Sequence, residues 1–225
     1  MLLRLLHFFE KYPIDFLSYV ISCLPIGIGL VRFRYLKAGL RYIWLFFVVF
    51  FLKDTYSLVQ IFINQNNLFI QNIEPIFETV FVGLIFLPYF DKPIEKRVLL
   101  GLTALCTAIT IYAYQRVDVS AVSLSTFRIF ALVLVLAYFN KLLTDMRVIN
   151  LTQHTMFWFA SSLLLYAAGT FFIVLYSEYW YKDINKVPAD VFDKYWNANQ
   201  FLYITFATLS AVGLWFARSD RQNVT

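Results

Sequence analysis

Five residues of this chain stand where ionisable side chains are costly. Lys53, Asp54, Glu74, Glu78 and Arg128 each fall inside a long apolar run. A charge at the centre of a membrane span costs about 2.5–3.5 kcal/mol on the insertion scale unless it is paired or reaches water, so five of them imply a network. Two cations can neutralise only two of the three carboxylates. Such a set can join helices by ion pairs, hold a polar ligand, carry a proton, or act as an acid through the carboxyl left over.

Spacing narrows the choice. At 3.6 residues per turn, Lys53, Ser57, Gln60 and Asn64 share one helical face, and Asn67, Gln71, Glu74 and Glu78 share another. A tight turn at Gln65-Asn66 puts residues equidistant from it at the same depth, which pairs Lys53 with Glu78 and sets Ser57 against Glu74. Asp54 lies about 100° around the helix from Lys53, so Arg128 is its expected partner. Glu74 is then the carboxyl without a cation, beside Pro75, whose missing N–H frees the carbonyl of Gln71. The expected structural pairs therefore use Lys53, Glu78, Asp54 and Arg128. The expected ligand site is Glu74, Gln71 and Ser57, completed by Asn197 and Gln200 near the start of the last apolar segment. Ser162, Tyr166 and Thr170 follow one another at i+4 and read first as packing.

The elements that must position these residues are membrane spans. The 225 residues are 60% hydrophobic, 20% aromatic and 15% charged, against about 45–50% apolar and about 25% charged in soluble domains. Apolar segments run 13 to 32, 41 to 63, 68 to 90, 97 to 115, 119 to 142, 155 to 177 and 196 to 217. With about 20 residues needed per spanning helix, seven spans nearly exhaust the chain. The expected fold is an all-α integral membrane protein, a single seven-transmembrane bundle over residues 1 to 225. Eleven Lys and Arg flank one set of ends, including Arg32, Arg34, Lys37, Arg41, Lys92, Lys96, Arg97, Lys141, Arg147, Arg218 and Arg221. Six flank the other, namely Arg4, Lys11, Arg116, Lys182, Lys186 and Lys194. Positive charge marks the cytoplasmic side, which gives an N-out, C-in topology. Tyr176, Tyr179, Trp180, Tyr181, Tyr195 and Trp196 then form an outer aromatic belt around an 18-residue outer connection.

Several functions lose support. The chain has no HExxH, GxSxG, CxxC or phosphate-binding glycine loop. Gly27 and Gly29 serve close helix packing, and Cys23 and Cys106 sit in apolar stretches, so neither a metal site nor a cofactor is expected. The net charge of +5 reflects inner loops rather than nucleic-acid binding. Both histidines, His7 and His154, lie near segment ends, and the last segment lacks a Schiff-base lysine. Val20-Ile21-Ser22-Cys23 loosely matches a lipoprotein cleavage box, but Pro13 and Asp15 interrupt the run before it, and a retained first helix is expected. Arg4, His7 and Lys11 on one face of the opening segment fit a short interfacial helix. A three-one-three sugar transporter would show an internal repeat. None is visible, since Pro25, Pro75 and Pro88 have no counterparts in the last three segments.

Asp54, the Asn66-Asn67 turn followed by Glu78, and the run from Phe157 to Ser162 leading to Tyr166 resemble uncharacterised bacterial seven-helix membrane proteins encoded beside sensor histidine kinases. The resemblance covers a minority of the chain. It implies a receptor-like or accessory role in signalling, a kinase partner and a bacterial inner-membrane location. It departs from the pattern at Asn72, where that group has histidine. The function expected is a non-enzymatic plasma-membrane sensor or signalling accessory, in contact with lipid and taking a small apolar or lipid-like ligand in an outward-facing pocket between the second, third, fifth and seventh helices. Two alternatives stand beside it. One is an intramembrane enzyme on a lipid or isoprenoid using Glu74 or Glu78, since NIEPIFE resembles the carboxylate-rich stretch of membrane carotenoid cyclases. The other is a small transporter.

Overall fold

The computed structural model describes residues 12–63, 67–116, 118–145, 148, 150–182 and 188–220. Seven long helices carry it: α1 Pro13–Val31, α2 Ala38–Phe62, α3 Leu68–Phe86, α4 Pro93–Tyr112, α5 Ala121–Asp145, α6 Thr155–Leu175 and α7 Ala189–Trp215. Short helices Ser177–Lys182 and Ala217–Asp220 flank α7. The opening residues with Arg4, His7 and Lys11, the Gln65-Asn66 turn, and Arg147, Asp183, Lys186 and Arg221 lie outside the described residues, as do the side chains of Trp180, Tyr181 and Lys182.

In hydrocarbon every backbone polar group must be satisfied within the chain, which is why apolar runs of this length become helices. Pro13 and Pro93 open α1 and α4 where a missing N–H costs nothing. Several helices extend past their apolar runs. α2 begins at Ala38 rather than 41, α4 at Pro93 rather than 97, and α7 at Ala189 rather than 196. Hydropathy marks only the apolar part of a helix, whereas backbone hydrogen bonding continues into the polar flank.

Among the described residues, five helices are long and apolar enough to cross a membrane, namely α1, α2, α3 with the turn to Tyr89, α5 and α6, the make-up of a multi-pass membrane protein. Their outer faces leave large apolar side chains uncovered, Leu52 at 60%, Leu136 at 57% and Phe172 at 65% exposure. Surface of that kind suits lipid and not water. α4 and α7 stand outside this set. Glu95, Lys96 and Arg97 fill the start of α4, and Asn197, Asn199 and Gln200 lower the mean hydropathy of α7.

Six helices close a ring in the order α1, α2, α3, α5, α6, α7, with α7 packed against both α6 and α1, and α4 leaning on α3 and α5 from outside. Phe206 of α7 stands at the centre, 5.3 Å from the Phe47 ring, 5.8 Å from Phe159 and stacked at 5.4 Å on Tyr166. Two glycines allow close approaches. A Cβ on Gly29 would run into the Trp44 ring of α2, and one on Gly213 would sit 2.9 Å from both the Thr155 carbonyl oxygen and Trp158 Cβ. Gly213→Ala should therefore lower stability by about 1–3 kcal/mol through overpacking, which exceeds the gain in helix propensity. Thermal unfolding in detergent would check this, and a raised melting temperature would contradict it.

Candidate functional site

The charged residues gather inside one end of the ring, away from the basic connections. Lys53 and Asp54 come from α2, Glu74 and Glu78 from α3, and Arg128 from α5. They form two tiers. The deeper tier is an ion pair between Arg128 Nη1 and Glu78 Oε2 at 3.1 Å, each side chain 4% exposed. Arg128 also donates from Nε to Thr170 Oγ1 at 2.9 Å and from Nη2 to the Tyr166 hydroxyl at 2.8 Å, and its guanidinium lies 4.4 Å over the Tyr166 ring. A planar fork of donors suits this set of acceptors around one buried carboxylate. Tyr166 and Thr170 of the i+4 row thus seat the arginine, while Ser162 meets Ser210 of α7 at 3.2 Å.

The second tier is half-buried. Lys53 Nζ lies 2.6 Å from Asp54 Oδ1 and 2.9 Å from Glu74 Oε2, so one ammonium serves two carboxylates.

The partners differ from those expected. Lys53 holds Asp54 and Glu74 rather than Glu78, and Arg128 holds Glu78 rather than Asp54. Ser57 accepts from Asn67 Nδ2 at 2.9 Å rather than meeting Glu74. Two physical reasons account for this. Glu74 and Glu78 are four residues apart, which at about 100° per residue rotates the second by about 40°, enough to turn Glu78 from α2 toward α5. The four-carbon stem of Lys53 is flexible enough to bring its ammonium back over Asp54, one residue away. The carboxylate excess survives in a new place, shared between Asp54 and Glu74.

A cavity of about 280 Å³ opens onto both tiers and extends to the helix ends at Asp15, Asn67, Val119 and Ser177. Glu74, Gln71, Ser57 and Gln200 line it. Asn197 does not and is exposed, because Tyr195, Trp196, Asn199, Gln200 and Tyr203 sweep the cavity-facing arc of α7 and Asn197 falls about 60° beyond it. The walls come from α1 and α6 as well as from α2, α3, α5 and α7, and α4 supplies none.

Several lining residues escape a reading by periodicity. Asp15 of α1 accepts from Trp196 Nε1 of α7 at 2.8 Å, and the Tyr19 hydroxyl lies 2.8 Å from Thr55 Oγ1, so two aromatic rings are tethered at the wall. A carboxylate in the first turn of an apolar helix was the available signal for Asp15. Asn72, 1% exposed, donates to the carbonyls of Gln115 and Asp118 at 2.7 and 2.6 Å and accepts from the Ser120 N–H at 3.1 Å, which fixes the α4–α5 connection beside the cavity.

At the opposite end, His154 joins the Tyr138 hydroxyl at 2.8 Å and Asp220 Oδ1 at 2.6 Å, tying the last short helix to α5 and α6. Among the described residues no group of three or more His, Cys, Asp or Glu is placed to hold a metal ion.

Fold and site together define an all-helical, membrane-type ring of six helices around a charged cavity, with a seventh outside. No family model matches the chain, and neither a curated protein nor a solved structure does.

Proposed function

We propose that this chain is a seven-span plasma-membrane protein, N-out and C-in, that acts as a non-enzymatic receptor-like sensor or signalling accessory. The cavity is its input and the basic connections are its output. The observation that carries the reading is the placement of an approximately 280 Å³ cavity, holding an ammonium shared by two carboxylates, at the end of the ring away from those connections. Seven spans are supported by where the polar residues of the two remaining helices fall. The charges of α4 are confined to its first five residues, and Asn199 and Gln200 of α7 turn into the cavity instead of toward lipid. A bacterial inner membrane and a histidine-kinase partner rest on the resemblance of Asp54, Glu78 and the Phe157-to-Tyr166 region.

Catalysis by Glu74 or Glu78 is the weaker reading. Each is already engaged by a cation, Glu74 by Lys53 and Glu78 by Arg128.

Impermeant labelling tests the reading on the full chain with Cys23→Ser and Cys106→Ala. Asp183→Cys should react from outside, Ser57→Cys should react from outside through the cavity, and a C-terminal reporter should be active in the cytoplasm. Labelling only from the inside would reverse the topology. Asp183→Cys reacting while Ser57→Cys stays inert would remove the outward cavity. Cross-linking should capture a kinase, and a changed lipid profile in cells lacking the protein would favour the enzyme instead.

A further inference from the structure

The second tier is short of one positive charge. Lys53 Nζ contacts one oxygen of Asp54 and one of Glu74, and the only other cation lining the cavity among the described residues, Arg128, is engaged with Glu78. By formal count, two carboxylates around one ammonium carry one surplus negative charge in a half-buried site. Each carboxylate also keeps a second oxygen with acceptor capacity.

A separate observation points to an occupant. Ser177 and Tyr203 both line the cavity, their hydroxyl oxygens are buried without a hydrogen-bond partner among the described residues, and Ser177 is only 4% exposed. Buried polar groups are normally satisfied, so two orphan hydroxyls on residues of one wall leave that wall with unmet hydrogen-bonding capacity.

We infer that the cavity takes a small organic monocation, a protonated amine on a compact aromatic or apolar body, whose ammonium lies against the free carboxylate oxygens of Asp54 and Glu74. Two ammonium groups between two carboxylates alternate in sign and leave the tier neutral. The walls suit the rest of such a molecule. The Tyr19 and Trp196 rings are pre-positioned by Thr55 and Asp15, and aromatic faces attract cations. At about 280 Å³ the space lies just below the usual range of about 300–1,000 Å³ for small-molecule sites, too small for a whole lipid. An anion meets the surplus negative charge. A divalent metal ion would need several oxygens at about 2.3–2.6 Å, and here the Lys53 ammonium stands between them.

This inference rests on the reading of the cavity as an outward ligand site. The test uses the full-length chain in lipid nanodiscs, titrated calorimetrically with phenethylamine, 2-phenylethanol and 3-phenylpropionate, which share a body and differ in charge. Phenethylamine should bind saturably, and at least about tenfold more tightly than the other two. Asp54→Asn and Glu74→Gln should each weaken it about tenfold or more while leaving the melting temperature unchanged or raised, because each removes the surplus charge and leaves Lys53 one carboxylate. If either variant folds poorly, the charge selectivity of the wild-type chain still decides. Equal binding of all three probes, no saturable binding of phenethylamine up to about 10 mM, or amine binding unaffected in folded variants would overturn the inference. So would proton uptake at the site with no effect of amine. Labelling of Ser57→Cys separates the two failures: without amine binding, a labelled cysteine leaves the cavity reading intact, and an inert one removes both.

Discussion

Arg128→Met should lower the stability of the bundle by about 3–5 kcal/mol, the usual cost of breaking a buried ion pair by removing one partner. The loss comes less from the missing attraction than from what stays behind. Glu78 is left at 4% exposure with no cation, and the Tyr166 hydroxyl and Thr170 Oγ1 lose the donors that the guanidinium supplied. Glu78→Leu should cost a similar amount by stranding the arginine. The double variant Glu78→Leu with Arg128→Met should recover much of the loss, because a buried pair replaced by apolar residues of similar volume is often near neutral. Thermal unfolding of all three variants in one detergent gives the cycle. A coupling below about 1 kcal/mol would mean that the deeper tier does not hold α3, α5 and α6 together.

Asn72→Leu should cost about 2–4 kcal/mol, although the substituted side chain is nearly isosteric. One amide supplies two donors and one acceptor to the α4–α5 connection, and leucine supplies none. The Ser120 N–H is the group most affected, since Ser120 is 1% exposed. Its loss should also reach the cavity, because Val119 and Leu124, which line the wall, lie within that connection and in the first turn of α5. Hydrogen exchange should rise at Ser120 and in the first turn of α5 before any global loss of structure. Unchanged protection there would show that the connection is held by other contacts.

The sequence made much of this protein legible because apolar patterning is strong in a chain that turns apolar side chains outward as well as into its core. The long helices begin at or near the polar breaks, at Pro13, Leu68 and Thr155, and the end of the ring that holds the charges follows from where Lys53, Glu74 and Arg128 fall along their helices. Asn197 falls outside the cavity although it stands three positions before Gln200, a spacing that reads as one face until the width of the arc is known. Asn72 has a different lesson. Its value as a staple depends on the path of the connection beyond α4, which periodicity does not describe.

What the sequence by itself determined is a charge count. Three carboxylates and two cations at membrane depth must pair, and one carboxylate must be shared or left over, whatever the arrangement of helices. Which carboxylate that is was decided only by tertiary structure. Partner choice depends on the order of helices around the ring and on the rotation of each about its axis, quantities that no single helix encodes. α5 and α6 close on the side of α3 that bears Glu78, so the arginine and its hydroxyl partners take that residue. Lys53 is left to reach both Asp54 and Glu74, facing the cavity.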